Sequence, residues 1–127
     1  MKKLLSRIML ALSMIAICAA ANADSRIVEV WTCVLNDGQL MDDVKTGNGN
    51  WLKYVNNAVD GGGILSYVLT PVVGTQGTFM YVDSFPSAAA WVAAKEALLQ
   101  EEGVAVEEAL NVFSTCESNT LHSSEQS

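Results

Sequence analysis

The side chains best suited to chemistry in this chain are aromatics and carboxylates at alternating spacing. Glu29, Trp31 and Cys33 share one parity of a β-branched stretch. Leu65, Tyr67 and Leu69 share one parity of a second, and Phe79, Tyr81 and Asp83 one of a third. Residues two apart on a strand point to the same face. If the three parities align, one sheet face carries an aromatic surface with two carboxylates. Tyrosine beside a carboxylate suits binding of a phenolic or quinone-like molecule, or proton abstraction from it. Asn48 adds a polar group between Gly47 and Gly49, where no side chains fill the neighbouring space. The expected ligand-binding set is therefore Asn48, Trp51, Tyr67, Tyr81, Asp83 and Trp91. Asp83, Tyr67 and His122 are the candidate catalytic residues. The competing reading is a filled core, with Asp83 capping a helix N-terminus and Glu29 at an edge.

Other chemistries lack their residues. His122 is the only histidine, and a zinc site needs three or four ligands. There is no H-x-x-x-H, C-x-x-C or EF-hand pattern, so no metal and no cofactor is expected. No nucleophile elbow is present. His122 near neutrality could act as a base, but a solvated histidine near the C-terminus competes with that role.

Positioning these groups requires knowing where the folded chain begins. Lys2, Lys3 and Arg7 form a basic segment, residues 9–21 are almost wholly apolar, and Ala21-Asn22-Ala23 has the small-x-small form of a cleavage site. Residues 1–23 are expected to be a secretory signal peptide, with Cys18 lost in it, and the mature protein to be periplasmic or secreted. The chain has 127 residues, and all 14 acids but only four of the seven bases lie beyond residue 23, a net charge of −10 there. Such a surface repels phosphate backbones and anionic lipid, so neither nucleic acid nor membrane is an expected partner. Cys33 and Cys116 remain. In an oxidising compartment a structural bridge is expected; a redox-active pair is the alternative, although neither cysteine has the C-x-x-C setting.

The elements follow from periodicity. Residues 26–35 read as a strand. Residues 40–59 carry a helical stripe through Met41, Val44, Trp51, Val55 and Ala58, interrupted at Gly47-Asn48-Gly49. That interruption is either a kink or break, or a thin polar spot where something approaches the backbone. Strands are expected at 64–70 and 78–85, a helix from Pro86 or Ser87 to about Glu102, stopped by Gly103, and a short helix at 104–113. A last strand spans 119–123 and a polar tail 124–127. The order β-α-β-β-α-α-β is an α+β, ferredoxin-like split βαβ pattern in residues 24–123: one antiparallel sheet with helices on one face. The first strand is apolar at both parities, so a second copy of the chain is expected on its other face.

Gly63-Ile64-Leu65-Ser66-Tyr67-Val68-Leu69, followed by Phe79-Met80-Tyr81-Val82-Asp83-Ser84-Phe85, resembles the middle of dimeric α/β-barrel domains. The group is the antibiotic-biosynthesis-monooxygenase-like domains. Asp83 stands at that family's acidic position and Phe85 at its aromatic one, and the likeness covers roughly residues 26–95. The second-helix histidine that members often carry is replaced by Ala94 or a neighbour. The resemblance implies a homodimer whose two sheets pack face to face. The expected function is an exported homodimer binding a small apolar or aromatic ligand or a protein partner. The alternative is a cofactor-independent monooxygenase or isomerase acting on an aromatic or quinone-like substrate.

Overall fold

The structure is a computed structural model that describes residues 25–127. The expected signal peptide, and Cys18 within it, lie outside the described residues. Strand β1 (Arg26–Leu35) is followed by helix α1 (Met41–Ala58), strands β2 (Leu65–Leu69) and β3 (Thr78–Phe85), helices α2 (Ala88–Ala97) and α3 (Glu101–Phe113), and strand β4 (Ser114–Ser124). All pairings are antiparallel and the order is β2-β3-β1-β4, with β3 and β1 in the middle. The fold is the α+β, ferredoxin-like arrangement.

Helix α1 runs unbroken through Gly47-Asn48-Gly49, so the expected break into two helices does not occur. Gly47 is buried because α3 crosses it: a Cβ there would sit 3.1 Å from Leu110 Cδ2 and 3.3 Å from Phe113 Cε2. The turn into β2 is closed by Asn56, whose side chain accepts from the Ile64 N–H and donates to the Ile64 carbonyl, both at 2.9 Å. Ser87 caps α2, its hydroxyl accepting from the Ala90 N–H at 3.1 Å. Asp83 does not cap a helix.

The second half departs further from its periodicity. Helix α2 ends at Ala97 rather than near Glu102, and α3 begins at Glu101. Gly103 does not stop a helix. It lies inside α3 and is buried where a Cβ would overlap the Ala97 carbonyl oxygen and the Leu98 backbone. The short turn between the helices thus depends on a missing side chain. Tyr54 of α1 fixes the end of α2 by donating to the Ala97 carbonyl at 2.6 Å. β4 is twice the expected length and reaches Ser124, one residue into the expected tail, with a bulge where β1 passes from Thr32 to Cys33.

Two apolar clusters lie between sheet and helices. One gathers Trp51, Val55, Ile64, Phe85, Ala94 and Leu98. The other holds Cys33, Val44, Phe79 and Tyr81, with Trp31, Val68, Leu110 and Phe113 against it. Four of the elements add a polar residue to this inner layer: Glu29 on β1, Asn48 on α1, Ser66 on β2 and Asp83 on β3. Cys33 and Cys116 sit opposite each other across β1 and β4 and are disulfide-bonded.

Candidate ligand-binding site

Strand pairing decides which side chains reach the polar layer. In an antiparallel sheet, directly opposed residues share a face. Glu29 opposes Asp83, Trp31 opposes Tyr81, and Cys33 opposes Phe79, so the β1 and β3 parities align as expected. Those of β2 do not. Ser66 opposes Asp83 and Val68 opposes Tyr81, whereas Tyr67 opposes Val82 on the outer face. Tyr67 is accordingly 54% exposed and lies away from the other expected ligand-binding residues. Leu65 and Leu69 are also exposed, while Ile64 and Val68 pack inward.

A cavity of about 130 Å³ opens beside the polar layer. Trp31, Trp51 and Tyr81 wall it, Asn48 and Asp83 supply polar groups from α1 and β3, and α3 contributes Glu107, Leu110 and Asn111. Four of the six expected ligand-binding residues thus meet at one cavity: Asn48, Trp51, Tyr81 and Asp83. Trp91 stands one step outside, in a wider groove of about 430 Å³ that shares Lys95 and Glu107 with the cavity. His122 does not reach it. It is exposed on β4, opposite Val28, with Nε2 2.9 Å from the Thr120 hydroxyl.

Asp83 is 4% exposed and Glu29 is 3% exposed. Glu29 is ion-paired with Lys95. It also accepts from Asn119 Nδ2 at 3.0 Å and from Trp91 Nε1 at 3.4 Å. Among the described residues Asp83 is in no ion pair. Its Oδ1 accepts from the Ser66 hydroxyl, which in turn accepts from Asn48 Nδ2 at 2.9 Å. Burial pushes the Asp83 carboxyl up to about 6. The Ser66 bond opposes this, Glu29 and Glu107 reinforce it by repulsion, and Lys95 partly offsets them. Burial likewise raises the Tyr81 hydroxyl, which lies 3.4 Å from the Ser114 hydroxyl. The arrangement can therefore accept a proton at Asp83, stack a ring on Trp31 and Trp51, and hydrogen-bond it through Asn48.

Sequence reasoning missed Lys95, Glu107 and Ser66. Lys95 had a signal, being the one base on an alanine-rich helix. Glu107 had none, because acids are common on exposed helix faces. Ser66 was obscured by the wrong parity for β2.

Known proteins can be set beside this geometry. No family model matches the sequence. No curated relative matches it. Solved structures do share the fold. SnoaB, a cofactor-independent oxygenase from Streptomyces nogalater, superposes with a TM-score of 0.61 at 13% identity, over 81% of this chain and 96% of that one. A candidate antibiotic biosynthesis monooxygenase from Nitrosomonas europaea gives 0.55 at 10% identity, over 82% and 91%. A dimeric ferredoxin-like protein of unknown function from Thermobifida fusca gives 0.50 at 10% identity, over 80% and 92%. This chain shares its ferredoxin-like fold with these structures. At these identities the likeness is one of fold, and activity has to be argued from the site.

Proposed function

We propose that the chain is an exported homodimer in which each protomer binds a small aromatic molecule bearing a hydrogen-bond donor. The observation that carries this reading is a buried carboxylate, Asp83, in no ion pair among the described residues and facing a cavity walled by Trp31, Trp51 and Tyr81. A cavity of about 150 Å³ holds benzene, so this one, at about 130 Å³, is of the order of a single ring. A donor on that ring would meet Asp83. The Cys33–Cys116 bridge supports export, because such bridges persist in oxidising compartments. Among the described residues no helix is long and apolar enough to cross a membrane.

The outer sheet face supports the dimer. Leu65, Tyr67, Leu69 and Met80 are all exposed on it, beside Val28, Val30 and Val82. A contiguous apolar surface of this kind marks an interaction site. Native mass spectrometry of the protein taken from its own host tests both parts. Two chains with a small retained molecule are expected; a ligand-free monomer overturns the reading.

A second reading has its own observation. Asp83 is held near the pH at which a general base works best, in a fold shared with a cofactor-independent oxygenase. Asp83 would take the proton from a phenolic or hydroquinone-like substrate, leaving an electron-rich anion for isomerisation or for reaction with oxygen. Oxygen uptake with small hydroquinones, present in the native chain and lost in Asp83→Asn, is the expected result. No uptake from either protein returns the site to binding alone.

A further inference from the structure

The charges around the cavity are unbalanced. Asp83 and Glu107 line it with Lys95 as the one base among the described residues, and Lys95 is committed to Glu29, which lies outside the lining. Its ammonium also lies 5.5 Å from the Trp31 ring centre and 5.9 Å from that of Trp91, so these aromatic faces already hold one cation. Glu107 accepts from Trp51 Nε1 at 3.2 Å and is in no ion pair. Among the described residues the ion pairs are Lys95–Glu29 and Lys45–Asp42, and Arg26 is turned toward Ser84 and Gly63. Two carboxylates, one from β3 and one from α3, therefore face the same cavity without a cation.

We propose that the cavity selects a small organic cation, a protonated amine on a single ring, whose ammonium lies between Asp83 and Glu107 while the ring packs against Trp31 and Trp51. This deepens the ligand-binding reading above and rests on it. An ammonium supplies the positive charge that both carboxylates lack, in charge-assisted hydrogen bonds. A carboxylate ligand would add a further negative charge to a desolvated site, with Lys95 already occupied. The acidic surface beyond residue 23 concentrates cations in the same sense. Glu107 is thus the specificity-determining residue.

Three probes of one shape separate charge from fit: benzylammonium, benzyl alcohol and benzoate, titrated calorimetrically into the intact protein at pH 7.5. Benzylammonium should bind about tenfold tighter than benzyl alcohol, as expected for one charge-assisted bond, and benzoate should not bind. Glu107→Gln keeps an acceptor for Trp51. It should weaken benzylammonium by about tenfold and leave benzyl alcohol unaffected. Glu108→Gln, exposed on the same helix, controls for general effects and should change neither. If benzyl alcohol binds as tightly as benzylammonium, or Glu107→Gln changes nothing, the charge selection is overturned while the cavity reading stands. If none of the probes binds, both fall.

Discussion

Glu29 and Asp83 oppose each other across the β1–β3 pairing, equally buried, yet their surroundings differ. Glu29 holds Lys95 and two N–H donors, so its charge is compensated where it sits. Asp83 has the Ser66 hydroxyl and a cavity. Two like groups in one register position are thereby given different tasks, one structural and one available to a ligand.

That difference predicts a pH dependence of stability. Below about pH 4 both the folded and unfolded chains keep the Asp83 proton. As pH rises toward 6 the unfolded chain releases it and the folded chain does not. Stability is therefore lost through this window, by about 3 kcal/mol once complete. Asp83→Asn should resist urea better than the native chain at pH 7.5 and nearly equally at pH 4. A gain of the same size at both pH values would contradict the assignment.

Asn48→Leu places an apolar branch at the mouth of the Asn48–Ser66–Asp83 chain. Benzylammonium and benzyl alcohol binding should both fall by about tenfold or more, since leucine occupies cavity space and removes a donor. The dimer mass should be unchanged by native mass spectrometry. Unaltered binding would place the ligand elsewhere.

The two glycines of α1 should respond oppositely to alanine. Nothing lies within 4 Å of a Cβ at Gly49, so Gly49→Ala should raise helix stability by about 1 kcal/mol. At Gly47 the added carbon presses on Leu110 and Phe113, and the propensity gain should be cancelled or reversed. Thermal unfolding of the two variants decides it.

Reducing the Cys33–Cys116 bridge opens a connection of 83 residues. The chain-entropy account gives about 4 kcal/mol of lost stability. Urea midpoints with and without reductant measure it, and thiol titration of the denatured, unreduced protein should find neither cysteine free.

Tyr67→Glu places a charge on the exposed outer face, opposite Val82 and away from the cavity. Sedimentation at micromolar concentration should show the native dimer and a monomeric variant, with unchanged circular dichroism. A monomeric native chain would remove the sheet face as the interface.

Much of this protein was legible from local pattern. Strand alternation in residues 26–35 and 78–85, the helical stripe through Val44, Trp51 and Val55, and two cysteines beyond the leader-like segment were enough for element order, fold class and the bridge. Those signals lie within short stretches or in counts. The parity of β2 was not legible, because the face on which Tyr67 lies depends on its alignment with β3 across a long connection, and one residue of slip reverses every side chain. The α2–α3 boundary was hidden for a similar reason. Gly103 reads locally as a helix stop, but its bare Cα is what lets α3 pack on Leu98. The meeting of Lys95 and Glu107 with Asp83 follows from that packing. Sequence spacing places them on three separate elements, and only the close approach of helices to sheet brings them around one cavity.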